Sequence, residues 1–128
     1  MTPRGAEAYR RTEALSRSPV ELVLMLYDGA LRFVGEARAA VARNDIAARS
    51  AAISRALAIV SELQNTLSVD TGGDIGRDLD RLYSYINVRL LDVAAKRDVA
   101  ALEEVQKLLT TLREAWSQVA ETPPVVTR

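Results

Sequence analysis

Apolar residues recur along this chain with the spacing of helices and nowhere with the alternation of strands. Ile46, Ile53, Val60 and Leu67 stand seven apart, and Ala56 and Leu63 fill positions between them. Ile75, Leu79, Leu82, Ile86, Leu90 and Val93 form a second series, and Leu102, Val105, Leu109, Leu112, Trp116 and Val119 a third. Near the start, Val23, Leu26, Tyr27, Ala30, Phe33, Val34 and Ala37 trace a fourth stripe. Spacings of three and four residues bury one face of an α-helix. Four helices and no strands are predicted.

Punctuation sets their limits. Ser18-Pro19-Val20-Glu21 is a helix start, with Ser18 as cap, Pro19 where its missing N–H costs nothing, and Glu21 completing a capping box. The first helix runs to about Arg43, where Asn44-Asp45 ends it and Asp45 caps the second, about Ile46–Leu67. Asp70-Thr71-Gly72-Gly73-Asp74 predicts a turn, and the third helix spans about Asp74–Lys96. Asp98 caps the fourth, which stops near Glu121 because Thr122-Pro123-Pro124 cannot continue it. Equal helices of roughly 33 Å on short loops pack most simply as an antiparallel up-down four-helix bundle. The expected organisation is an arm over 1–17, flexible or short-helical, a bundle over 18–121, and a disordered tail over 122–128.

A bundle helix needs one apolar stripe, and several residues lie off it. Leu22, Leu24, Met25 and Leu31 leave the start of the first helix apolar nearly all round. Ile59 is displaced from the second seam, and Tyr83, Tyr85, Val88 and Leu91 from the third. These residues either widen the core or line a groove able to hold an extended or helical segment. Gly29 lies inside the first helix, at a cost of about 1 kcal/mol against alanine. Close approach of a neighbouring helix or of the arm accounts for it best.

Composition narrows the chemistry. The chain has 128 residues with 17 basic and 17 acidic side chains, and neither cysteine nor histidine. A single domain is expected, and zero net charge argues against general nucleic-acid binding. Disulfides, thiolate nucleophiles, Ser-His dyads and imidazole metal sites are excluded. A di-iron bundle would need Glu-x-x-His pairs, so Asp28, Glu62, Asp78, Asp80, Asp92, Glu103, Glu104 and Glu114 read as solvated faces. Gly72-Gly73-Asp74-Ile75-Gly76 lacks the Lys-Ser/Thr and preceding strand of a phosphate loop. No catalytic residue, metal or cofactor is expected. The longest apolar run, Leu22–Tyr27, is far short of a membrane span, and residues 1–18 lack a signal peptide's apolar block, so a cytoplasmic protein is expected.

The run from Ser18 to Phe33, SPVELVLMLYDGALRF, closely resembles the FliS family of flagellar export chaperones. The similarity continues at Asn44-Asp45, at Arg55–Leu63, at Leu82-Tyr83-Ser84-Tyr85-Ile86 and at Arg113-Glu114-Ala115-Trp116. Tyr9 falls where the family has a tyrosine in its arm, so the resemblance covers about residues 9–120. The chain departs from the family pattern at Ala6, where many relatives carry a second arm aromatic, at Arg17, and at Ser84, where Asp is usual.

The resemblance implies a non-enzymatic cytoplasmic bundle that holds the C-terminal segment of flagellin, prevents its premature polymerisation and delivers it to the flagellar type III export apparatus. Contact residues are expected at Ile59 and Leu63 on the second helix and at Tyr83, Tyr85, Ile86 and Leu90 on the third. The stripe offset favours Ile59 and Tyr85 among these. The arm, with Tyr9 and Leu15 as its larger apolar groups, is expected to act as a lid. A monomer or weak homodimer is expected. The alternative is a bundle that self-associates through Leu22, Met25 and Leu31.

Overall fold

The computed structural model describes residues 18–67 and 69–121, with the backbone alone over 69–72. The expected arm and tail, including Tyr9 and Leu15, lie outside the described residues. Four helices follow in order: α1 (Pro19–Ala42), α2 (Ile46–Asn65), α3 (Val69–Lys96) and α4 (Val99–Glu121). Each helix packs along its neighbours in the chain, and α4 closes the ring against α1. The result is an antiparallel all-α four-helix bundle, with no strand among the described residues.

Local chemistry explains the ends. The Ser18 hydroxyl accepts from the Glu21 N–H at 3.2 Å, Asp45 Oδ1 from Ala48 at 3.0 Å, and Asp98 Oδ1 from Ala101 at 3.0 Å. At the end of α1, Asn44 takes a left-handed conformation (φ 57°). The Asn44 N–H then donates to Val41 O and the Asp45 N–H to Ala40 O, a Schellman closure. Arg97 ends α3 with the simpler left-handed motif at φ 54°, donating its N–H to Val93 O. The Arg97 guanidinium reaches across to Asn44 Oδ1 and Val41 O, so the two left-handed residues fasten one loop to the other.

The turn expected at 70–74 needs correction. Helix begins already at Val69, and the interruption narrows to Gly73, with φ 61° and ψ −143°. That backbone region is essentially reserved for glycine, so α3 kinks there and resumes at Asp74.

The core holds Tyr27, Val34, Ile53, Val60, Leu63, Tyr83, Ile86, Leu90, Val93, Leu102, Val105 and Leu109, all essentially inaccessible to solvent. Three predicted seam residues escape it: Ile46 is 66 % exposed, Ile75 74 % and Val119 53 %. Ile46 and Val119 occupy the first and last turns of their helices, and Ile75 follows directly on the Gly73 kink, so the stripe there runs past its neighbours. Tyr83, read as displaced, is instead buried. Its hydroxyl lies 2.5 Å from that of Tyr27, and the rings sit 6.5 Å apart. Burial pushes both phenols above their ordinary range, and for Tyr27 the bond to Tyr83 adds to the rise.

Gly29 faces Ile59, whose Cδ1 would lie 3.1 Å from a Cβ placed there. The glycine thus admits Ile59 against α1, as the close-approach reading required.

Candidate partner-binding surface

Three of the four seams are laced by side chains. Between α1 and α2, Arg55 reaches across to lie 5.5 Å from the Phe33 ring centre. Between α2 and α3, Gln64 bonds to Asp80 and Ser84, and Asn87 donates to Ser61 at 3.2 Å. Ser84, which departs from the family pattern, therefore serves this lacing. Between α1 and α4, Arg113 Nε donates to Asp28 at 2.5 Å, while Arg38 meets Gln106 and Glu103.

The seam between α3 and α4 is different. It is the loosest of the four, and its described polar links gather at one end. There the Tyr85 hydroxyl donates to Glu104 Oε1 at 2.6 Å, and Arg89 Nε donates to the same oxygen at 2.9 Å. The second arm of Arg89 lies 3.1 Å from Asp92 and 3.6 Å from Asp98. Toward the other end, α3 offers Ile75 and Leu79, and α4 offers Leu112, Ala115, Trp116 and Val119, around an open depression of about 240 Å³. Leu82 and Leu108, partly buried against the core, continue the two stripes toward Tyr85 and Glu104. Trp116 also borders a second apolar depression of about 290 Å³ with Val20, Leu22, Val23 and Leu67. One end of the bundle is thus apolar and open, and the groove leading from it ends on a polar latch.

The latch is sensitive to acid. The Tyr85 hydroxyl and then the Arg89 guanidinium hold the Glu104 carboxyl below the usual carboxylate range. Its stabilisation is therefore complete above the unfolded value and fades as pH falls through the lower folded value. Both side chains are partly open to solvent, which keeps the effect modest. Melting curves from pH 7 to 3 should show a shallower acid loss of Tm for Glu104→Gln than for the wild type. Parallel losses would remove the latch from the account.

The expected contact residues divide sharply on this geometry. Tyr85 is 44 % exposed and stands at the groove's polar end. Ile59 is partly buried and spends its tip on α1 beside Gly29. Leu63, Tyr83, Ile86 and Leu90 are core residues, lying beneath the surface as folded here and not on it. The sequence reading placed Ile75, Leu79, Leu112, Trp116 and Val119 in the core seams and so missed their role as groove lining. A stripe's spacing gives its face, and the gap between two helices decides whether that face is closed. Arg89 and Glu104 were missed because pairing across helices leaves no trace in local spacing. Among the described residues no group of acids could hold a metal ion, and no helix is long and apolar enough to cross a membrane.

The family model for the flagellar protein FliS matches residues 2–123, nearly the whole chain. The chain belongs to the FliS family. It is 36 % identical to the flagellar secretion chaperone FliS of Salmonella typhimurium over 124 residues, covering 93 % of this chain and 92 % of that protein. The Campylobacter jejuni flagellar secretion chaperone FliS is 36 % identical over 113 residues, 88 % of each chain. That of Bacillus subtilis is 31 % identical over 114 residues, 89 % of this chain and 84 % of the other. These relatives are named flagellar secretion chaperones, a non-enzymatic family. Two family-like motifs meet in space here, since Asp28 of the α1 block pairs with Arg113 of the α4 block.

Proposed function

We propose that this FliS protein binds the C-terminal segment of flagellin in the cytoplasm, keeps it from polymerising prematurely and supports its delivery to the flagellar export apparatus. The observation that carries the reading is the open apolar groove between α3 and α4, running from Ile75 and Val119 toward Tyr85. A segment disordered when free would order there as a helix or extended strand, its apolar side chains replacing water over Leu79, Leu112 and Trp116. Tyr85 would contact it directly. Leu63, Tyr83, Ile86 and Leu90 would contribute from beneath by holding the groove's floor. Residues 1–17, with Tyr9 and Leu15, would guard the same apolar end, since their point of attachment at Ser18 adjoins Val20 and Leu22. A tethered segment acts at an effective concentration on the order of millimolar, so a weak contact suffices.

Titration calorimetry against a peptide from the C-terminal end of the same organism's flagellin tests this. One-to-one, sub-micromolar binding with a large negative heat-capacity change is expected, and deletion of residues 1–17 should tighten it. A folded bundle that binds no peptide would overturn the chaperone reading for flagellin. Weaker binding after the deletion would make the arm a contact and not a lid.

Self-association is the second reading, favoured by Leu22 and Met25, both exposed on α1. Leu31 packs against the core and is less available for it. A mass that rises with concentration would support this reading.

A further inference from the structure

At the opposite end of the bundle, where the α1–α2 and α3–α4 loops meet, lies a cavity of about 380 Å³ with an unbalanced charge. Arg49, Lys96 and Arg97 line it, and Asp45 is the single carboxylate among its lining residues. That carboxylate is already engaged. One oxygen accepts the Ala48 N–H at 3.0 Å and the other lies 3.5 Å from Arg43. Arg97 reaches only neutral oxygens, on Val41 and Asn44. Among the described residues, the side chains of Arg49 and Lys96 have no ion pair or hydrogen bond. The Arg49 Nε–H is moreover buried without an acceptor. A buried guanidinium N–H with nothing to donate to is costly, and its flat donor fork matches a carboxylate.

We propose that this loop-end cavity binds an acidic segment of a partner protein, with a carboxylate on Arg49 and an adjacent apolar side chain against Ile46. The volume is of the size that peptides and small molecules fill, and larger than one carboxylate requires. Ile46, 66 % exposed at its edge, gives an apolar neighbour a surface to cover. Nucleic acid fits less well. Its binding needs a basic face extended along several phosphates, and here three cations converge on one cavity in a chain of zero net charge. The site lies at the far end of α1, whose 24 residues span roughly 36 Å, from the apolar end of the groove beside Val20. The two surfaces can therefore be occupied together, and this inference does not depend on the flagellin reading.

The test is a ¹⁵N NMR titration of the whole protein with the peptide acetyl-Leu-Asp-Glu-Leu-amide and with its Asn-Gln counterpart, in low salt. Saturable shifts are expected at the Arg49 Nε–H and at the amides of Asn44–Ile46 and Lys96–Arg97 for the acidic peptide alone. Arg49→Gln should weaken that binding about tenfold, the loss of one charge-assisted hydrogen bond, while the remaining spectrum reports an intact fold. Equal binding of the neutral peptide, shifts centred on Trp116, or no saturable shift would overturn the proposal. Inorganic phosphate or a short oligonucleotide binding as well as the acidic peptide would overturn it too, reducing the cavity to a general anion site.

Discussion

Tyr83→Ala is expected to destabilise the bundle by about 3–5 kcal/mol, the usual cost of truncating a buried aromatic residue. The loss has two parts. A cavity opens at the centre of the core, and the Tyr27 hydroxyl, 2.5 Å from that of Tyr83, loses its partner in a buried place. Tyr83→Phe isolates the second part, at about 1–3 kcal/mol for a buried polar group left unpaired. Tyr85→Ala, two residues on, should leave stability within about 0.5 kcal/mol, as surface changes usually do. Denaturant unfolding of the three variants checks the order. Equal losses at positions 83 and 85 would show that Tyr85 is held as firmly as Tyr83.

That pair of tyrosines also marks the limit of what the sequence made legible. Helix number, caps and loop positions follow from local chemistry, so Ser18, Asp45 and Asp98 are readable without coordinates. Depth is not local. Tyr83 and Tyr85 both lie off the predicted stripe, yet one faces Tyr27 across the core and the other faces Glu104 at the surface. Likewise Ile75 belongs to an unbroken series of three- and four-residue spacings and still stands 74 % exposed, because α4 does not close over it. The groove was therefore expected from an excess of apolar residues, while its walls were assigned to the core. The Gly73 kink was blurred into a five-residue turn, since paired glycines announce a break without saying which residue makes it.

The largest effect on partner binding is expected from Ile75→Asp combined with Val119→Asp. Both residues line the apolar end of the groove, and both are exposed enough that a carboxylate remains solvated in the free protein. In a complex each carboxylate would be trapped against apolar surface. Each should weaken binding of the flagellin peptide roughly tenfold or more, by about 1–3 kcal/mol for an uncompensated polar burial. The two together should bring a sub-micromolar complex near the limit of calorimetric detection. Val88→Asp, on the outward face of α3, serves as the control and should change affinity little. Wild-type affinity in the double variant, with the fold intact by circular dichroism, would move the binding surface away from the α3–α4 groove.

The uneven lacing of the seams carries a thermodynamic consequence. Proteins open in parts, and the parts that open most cheaply have the fewest cross-links. Here α1 is tied to both its neighbours by charged or cation–aromatic contacts, whereas α3 and α4 share one polar latch beside an unfilled apolar gap. Amide hydrogens along the α3–α4 side should then exchange with solvent through small openings that leave the α1–α2 hairpin protected. A segment wedged into that gap would close the weakest joint, so the chaperone would borrow rigidity from the chain that it shields.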